Sequence, residues 1–144
     1  CIRALEAGRM IDIRSPKAIR PWEHVLEPLS GYMLLAKLMW ENPTEYCEGW
    51  NFGPESEGVS TVWEVASEVI KNYGSGELKD SSDSNAVHEA NLLMLNINKA
   101  KRRLGWYPRM NMQQCMELVV DWYKRYQTED VYKLCVEEIN KFIG

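Results

Sequence analysis

The residues best equipped for chemistry lie in one run, Ile19-Arg20-Pro21-Trp22-Glu23-His24-Val25-Leu26-Glu27-Pro28-Leu29. It sets a guanidinium, an indole and an imidazole just ahead of a helix start. Arginine offers a planar fork of donors that matches a phosphate. A helix start adds backbone amides and the positive end of a dipole. Arg20, Trp22 and His24 together would suit a diphosphate. The plainer reading pairs Arg20 with Glu23 or Glu27 beside a core tryptophan, and the residues alone leave both open. A second polar cluster, His88-Glu89-Ala90-Asn91, lies between a polar stretch and an apolar run. It reads as a site or as an exposed loop before a strand. Asn51, among aromatic residues, is a third candidate, because a buried asparagine must hydrogen-bond a ligand or the backbone.

What the chain lacks narrows the chemistry. No G-x-G-x-x-G, G-x-x-x-x-G-K-[ST] or H-E-x-x-H motif occurs. No serine or cysteine motif completes a triad with His24 or His88. The motifs therefore supply no self-sufficient catalytic site. The four cysteines, Cys1, Cys47, Cys115 and Cys135, form no C-x-x-C pair, and only two histidines exist, so no zinc site is expected. Cys115 and Cys135 fall on apolar helical faces and read as reduced thiols of a cytoplasmic protein. A net charge of −4 argues against a nucleic-acid partner, and the run Lys99, Lys101, Arg102, Arg103 reads as a solvated helix face. The most apolar stretch, Leu29 to Trp40, is too short to span a bilayer and contains Lys37, so no membrane partner is expected. The first residue is Cys1, and we expect the chain to begin inside a longer or processed gene product.

These candidates need elements to hold them. The 144 residues, 45% hydrophobic and 26% charged, suffice for one domain with a real core. Arg3 to Ala7 reads as a helix tail stopped by Gly8, and Met10 to Arg14 as a short strand. Ile19 to Val25 is extended, an edge segment or turn because Pro21 lacks an amide donor. Pro28 suits the first turn of a helix, with Glu27 near its positive end. Leu29 to Trp40 is apolar nearly all round and predicts a buried helix. Gly49 to Pro54 reads as a strand ending in a Gly-Pro turn. Thr61-x-x-Glu64 is a capping box opening a helix with the stripe Val62, Val65, Ala66, Val69, Ile70, Tyr73, stopped by Gly74. Ser75 to Ser84 reads as loop and Leu92 to Ile97 as a possible strand. Asn98 reads as the cap of a short helix ending at Leu104 with Gly105 beyond, Asn111 as the cap of another, and a last helix runs from about Glu129 to Ile143. Six Trp and seven Tyr, Trp63 and Trp122 among them, read mostly as core. The fold class is mixed α/β, short strands alternating with helices.

Several segments then resemble one family. Arg20-Pro21-Trp22-Glu23-His24-Val25-Leu26-Glu27-Pro28-Leu29-Ser30-Gly31-Tyr32 is similar to the R-P-W-Q-H-V-L-E-P-L-x-G-Y signature of CDP-glucose 4,6-dehydratases. Trp50-Asn51-Phe52-Gly53-Pro54 resembles their W-N-F-G-P. His88-Glu89-Ala90 and Leu95 to Pro108 resemble H-E-A followed by L-D-x-x-K-A-x-x-x-L-G-W-x-P. Trp122-Tyr123 and the Cys135-to-Ile143 helix also fit. Glu23 stands where the family has glutamine, Val87 where it has proline, and Asn96 where it has aspartate. The resemblance implies an extended short-chain dehydrogenase/reductase whose N-terminal Rossmann domain holds NAD and a Tyr-x-x-x-Lys pair. Neither that domain nor that pair is in these 144 residues. In that family the sugar is oxidised at C4, water leaves across C5 and C6, and the hydride returns to C6. The resemblance makes residues 1–144 the C-terminal substrate-binding region, with CDP-glucose as ligand and a homo-oligomer as the full-length protein. Arg20 would grip the diphosphate, Trp22 and His24 would accompany it, Asn51 would line the nucleotide pocket, and His88 or Glu89 would close it. A related epimerase or dehydratase using another nucleotide sugar, or a stand-alone α/β binding module, are the alternatives.

Overall fold

The computed structural model describes residues 1–56, 59–83 and 91–144. In chain order these form α1 (Ile2–Glu6), β1 (Ile11–Ile13), β2 (Ile19–Arg20), α2 (Leu26–Glu41), α3 (Pro43–Tyr46), β3 (Ser60–Thr61), α4 (Val62–Tyr73), β4 (Leu78–Asp80), α5 (Asn98–Leu104), α6 (Met112–Arg125) and α7 (Val131–Ile143). The class is mixed α/β. β1 and β4 pair in parallel, with Ile11 beside Leu78, and β2 pairs antiparallel with β3.

The helices with the clearest local signals form as read. Thr61 and Glu64 cap α4 reciprocally, the side chain of each accepting the other's backbone N–H. Gly74 ends α4 with φ +94°, a left-handed cap that needs no Cβ. Asn111 and Gln114 form a second capping box at α6. The apolar face of α4 (Val65, Ala66, Val69) meets Ile2 and Leu5 of α1, Ile11 and Ile13 of β1, and Cys115, Met116 and Val120 of α6. A second core gathers Phe52, Ile97, Ala100, Leu104 and Trp106 under Leu34, Leu35 and Leu38 of α2.

Five expectations are corrected. Residues 78–80, read as loop, are strand β4, because pairing to β1 supplies what local sequence does not. The 49–54 segment forms no strand; its aromatic content serves packing, with Phe52 edge-on to Tyr32 and Trp106 at centroid distances of 5.4 and 5.0 Å. Among the described residues, Leu92 to Ile97 makes one bridge, Leu92 to Ile19, and no strand. α2 is not buried: Met33 and Trp40 are 74% and 90% exposed, and Trp63 of α4 is exposed as well. Of the thiols, Cys115 is buried and Cys135 half-buried, and all four cysteines are free. No described helix is long and apolar enough to cross a membrane.

Gly31 marks the tightest approach between α2 and the second core, because a Cβ there would overlap the Phe52 ring. Gly31→Ala gains about 1 kcal/mol of helix propensity, but overpacking costs about 1–3 kcal/mol or more. The Phe52 ring is held between Tyr32 and Trp106, so the clash should win. A net loss of about 1–2 kcal/mol is expected by urea unfolding. A variant more stable than the parent would contradict this packing.

Candidate functional site

Arg20 closes strand β2. Its neighbour Ile19 is engaged on both sides, pairing with Thr61 of β3 and bridging to Leu92. The Ile19 amide donates to the Asn91 carbonyl at 2.8 Å, and the Leu93 amide donates to the Ile19 carbonyl at 3.1 Å. Of the two readings, edge or turn, the edge is excluded by the bonds on both sides of Ile19, and the turn falls at Pro21. Pro21 lies just past the last paired residue, so its missing donor costs no ladder bond. A tight turn crosses it, with the Trp22 amide donating to the Arg20 carbonyl at 2.9 Å. The Arg20 side chain is half-buried, and its Nη1 donates to the Ile19 carbonyl at 2.8 Å.

The start of α2 does not offer the free amides expected of a phosphate cradle. His24 is 3% exposed, and its Nδ1 accepts the Leu26 amide at 3.3 Å. Its carbonyl accepts the Glu27 amide at 2.9 Å. Pro28 has no amide N–H, and Leu29 donates to the Val25 carbonyl. Every N–H of the first turn thus has an internal partner. Val25 is the N-cap residue of α2, and the His24 ring takes the first amide from one residue earlier. Burial lowers the His24 pKa, which favours the neutral ring that this bond needs. Trp22 is half-buried against the first core, and its Nε1 has no hydrogen-bond partner among the described residues.

Glu27 is not the partner of Arg20. It is fully buried (0% exposed), and its Oε1 accepts the backbone amides of Arg109 at 2.8 Å and Met110 at 2.7 Å. This ties the first turn of α2 to the loop before α6, 82 residues on. One turn later Ser30 Oγ donates to the Glu27 carbonyl and accepts Trp106 Nε1–H. Glu23 lies close enough to feel Glu27: burial first, then the Glu27 charge, push its carboxyl up to about 7. Burial also raises the Cys115 thiol to about 11, with Glu27 and Glu23 adding to it and a backbone hydrogen bond from His24 opposing. Such a thiol is a packing group and not a nucleophile at neutral pH.

Asn51 is exposed, not buried as expected, and its Nδ2 donates to the Asn96 carbonyl at 3.4 Å. Nearby, a cavity of about 320 Å³ is lined by Glu55, Ser56 and residues 94–98. Residues 91–97 thus run from the Ile19 ladder to Asn51, and Arg20 and Asn51 flank one common segment. Trp22 and His24 turn to the interior instead. His88 and Glu89 lie outside the described residues. Among the described residues no group of three or more His, Cys, Asp or Glu could hold a metal ion.

The basic run of α5 is more than a solvated face. Lys99 and Arg103 both bond Glu48 and lie over the Trp50 ring at 4.4 and 5.2 Å, while Lys101 bonds Glu55 at 2.7 Å. These contacts fasten α5 to the 48–55 segment that carries Asn51. Sequence reading missed this role and that of Glu27. The only local signals were the indole of Trp50, next to Asn51, and a glutamate in a helix's first turn, neither of which names its distant partner.

No family model matches the chain. The chain is 35% identical over 144 residues to CDP-glucose 4,6-dehydratase of Salmonella typhimurium, covering 99% of this chain and 40% of that protein. It therefore spans about two fifths of the length of the curated relative it matches.

Proposed function

We propose that these 144 residues form the nucleotide-sugar-binding part of an enzyme that dehydrates CDP-glucose to the 4-keto-6-deoxy sugar nucleotide. One observation carries this reading: the similarity to the Salmonella CDP-glucose 4,6-dehydratase runs along 99% of the chain. The geometry is compatible. Arg20 stands at a strand end with one guanidinium nitrogen bonded to the Ile19 carbonyl, and Asn51 flanks the same 91–97 segment. On this reading the diphosphate would rest on Arg20 and not on the amides of α2, which are taken.

NAD does not fit the residues present. β1 is followed by Arg14-Ser15-Pro16-Lys17 and not by a glycine-rich turn into a helix. Under this proposal the dinucleotide and the catalytic pair belong to protein outside residues 1–144, and no chemical step is assigned to this region. What it would supply is binding energy and orientation.

The test is to give the full-length protein CDP-glucose, dTDP-glucose and GDP-mannose in parallel and to follow the 4-keto product. We expect CDP-glucose to be turned over in preference to the others, by roughly a hundredfold or more in kcat/KM, since an ill-fitting base leaves buried polar groups unpaired. Preference for another nucleotide sugar would move the protein to a related epimerase or dehydratase. Turnover of none would leave a binding module.

A further inference from the structure

We infer that the cleft between the start of α2 and helices α6 and α7 binds an organic amine, whose ammonium pairs with Glu138 and whose apolar body rests on Leu29, Trp122, Tyr123 and Ile139.

The cleft has a volume of about 420 Å³, within the range of about 300–1,000 Å³ found for small-molecule sites. Three elements supply its walls. Leu29 lies on α2, Trp122 and Tyr123 on α6, and Glu138 and Ile139 on α7. The aromatic wall is preformed, because Trp122 stacks on Tyr126 at 4.9 Å and meets Tyr123 edge-on at 5.3 Å. Leu29, Tyr123 and Ile139 stay exposed in the folded chain, so an apolar ligand body would remove their surface from water.

Glu138 sets the polarity of the ligand. It is 8% exposed, and its Oε1 is buried with no hydrogen-bond partner among the described residues. A buried acceptor left without a donor is destabilising. The two cations nearest in the same helices are engaged elsewhere. Arg125 bonds Asp121, Glu129 and Glu137, and Lys141 bonds Glu137 at 2.8 Å. His24 also lines the cleft, but its Nδ1 accepts the Leu26 amide and burial disfavours its charged form. Burial first, then the Asp121 charge, push the Glu138 carboxyl upward, with Lys141 and Arg125 opposing and Glu137 adding. The cleft thus lacks a donor that carries positive charge. An ammonium on an apolar stem supplies both donors and charge. Aromatic rings attract it, and a net charge of −4 favours its approach. A pure hydrocarbon would leave Glu138 unpaired, and an anion would be repelled by it.

The test gives the full-length protein two probes of one shape, tryptamine and its neutral alcohol analogue tryptophol, in calorimetric titrations. Tryptamine should bind roughly tenfold more tightly, because a charge-assisted bond is stronger than a neutral one. Glu138→Gln should bring the two probes within about twofold of each other. Ile139→Trp fills the cleft from its own wall and should weaken both by roughly tenfold or more. If Glu138→Gln does not fold, the parent's preference and the Ile139→Trp loss decide. Equal binding of the two probes by the parent, or tryptamine binding that survives Ile139→Trp, overturns the proposal. So does an absence of tryptamine binding, which would mean that another part of the protein or a second copy covers the cleft.

Discussion

Glu27→Ala is expected to destabilise the fold by about 3–5 kcal/mol, the range found when one partner of a buried charged contact is removed. The size follows from the geometry. Two charge-assisted bonds, to the Arg109 and Met110 amides, are lost together, and each contributes about 1.5–3 kcal/mol. The amides are left without an acceptor, and a cavity opens in a position that is 0% exposed. Since a domain's whole stability is about 5–15 kcal/mol, this one side chain can decide whether α2 stays docked. Glu27→Gln should cost far less, about 1 kcal/mol or under, because its amide oxygen can replace Oε1 as acceptor of both amides. Urea unfolding of both variants measures the contrast. Equal, small losses for Ala and Gln would show that the loop is held by something other than this carboxylate.

How much of this was legible in the sequence depends on the range of the interaction. α4 could be read almost residue by residue, since the Thr61–Glu64 box, the Val65–Val69 stripe and the Gly74 stop are all local. β4 could not, because Leu78 is its only inward residue and its strand character comes from pairing with β1, which is 67 positions away at the Ile11–Leu78 pair. α2 shows the limit of hydropathy. Its apolar composition predicted burial, but composition does not say which neighbours cover a helix, and Tyr32, Met33 and Trp40 are exposed. At the site, Arg20 was visible as an arginine before a proline, and its place at a strand end agrees with that reading. The use of the α2 amides was not visible. It depends on His24 folding its ring back onto Leu26, a choice of side-chain torsion that residue type does not fix. Glu27 was read for its position near a helix dipole, yet its work is done on a loop 82 residues away.

Arg20→Ala in the full-length protein is expected to weaken CDP-sugar binding by roughly ten- to a hundredfold, on the proposal that Arg20 is the main diphosphate contact. A charge-assisted bond to phosphate contributes about 1.5–3 kcal/mol, and each 1.4 kcal/mol is about tenfold in affinity. The structure sharpens the expectation in one respect. With the Leu26, Glu27 and Leu29 amides all bonded internally and Pro28 lacking one, the helix start cannot take over the phosphate when the guanidinium is removed. Arg20→Lys should recover only part of the loss, because an ammonium replaces a planar fork. NAD affinity should stay within about twofold, under 0.5 kcal/mol, because the sequence carries no glycine-rich dinucleotide turn near Arg20. The competing role is structural. Arg20 is half-buried and its Nη1 is bonded to the Ile19 carbonyl beside the β2–β3 pair. If that is its whole role, Arg20→Ala will lower the melting temperature while CDP-sugar affinity moves less than about twofold, again under 0.5 kcal/mol. Calorimetric titration and thermal unfolding of the same variant separate the two, since a ligand contact predicts loss of affinity at an unchanged melting temperature and a structural role predicts the reverse.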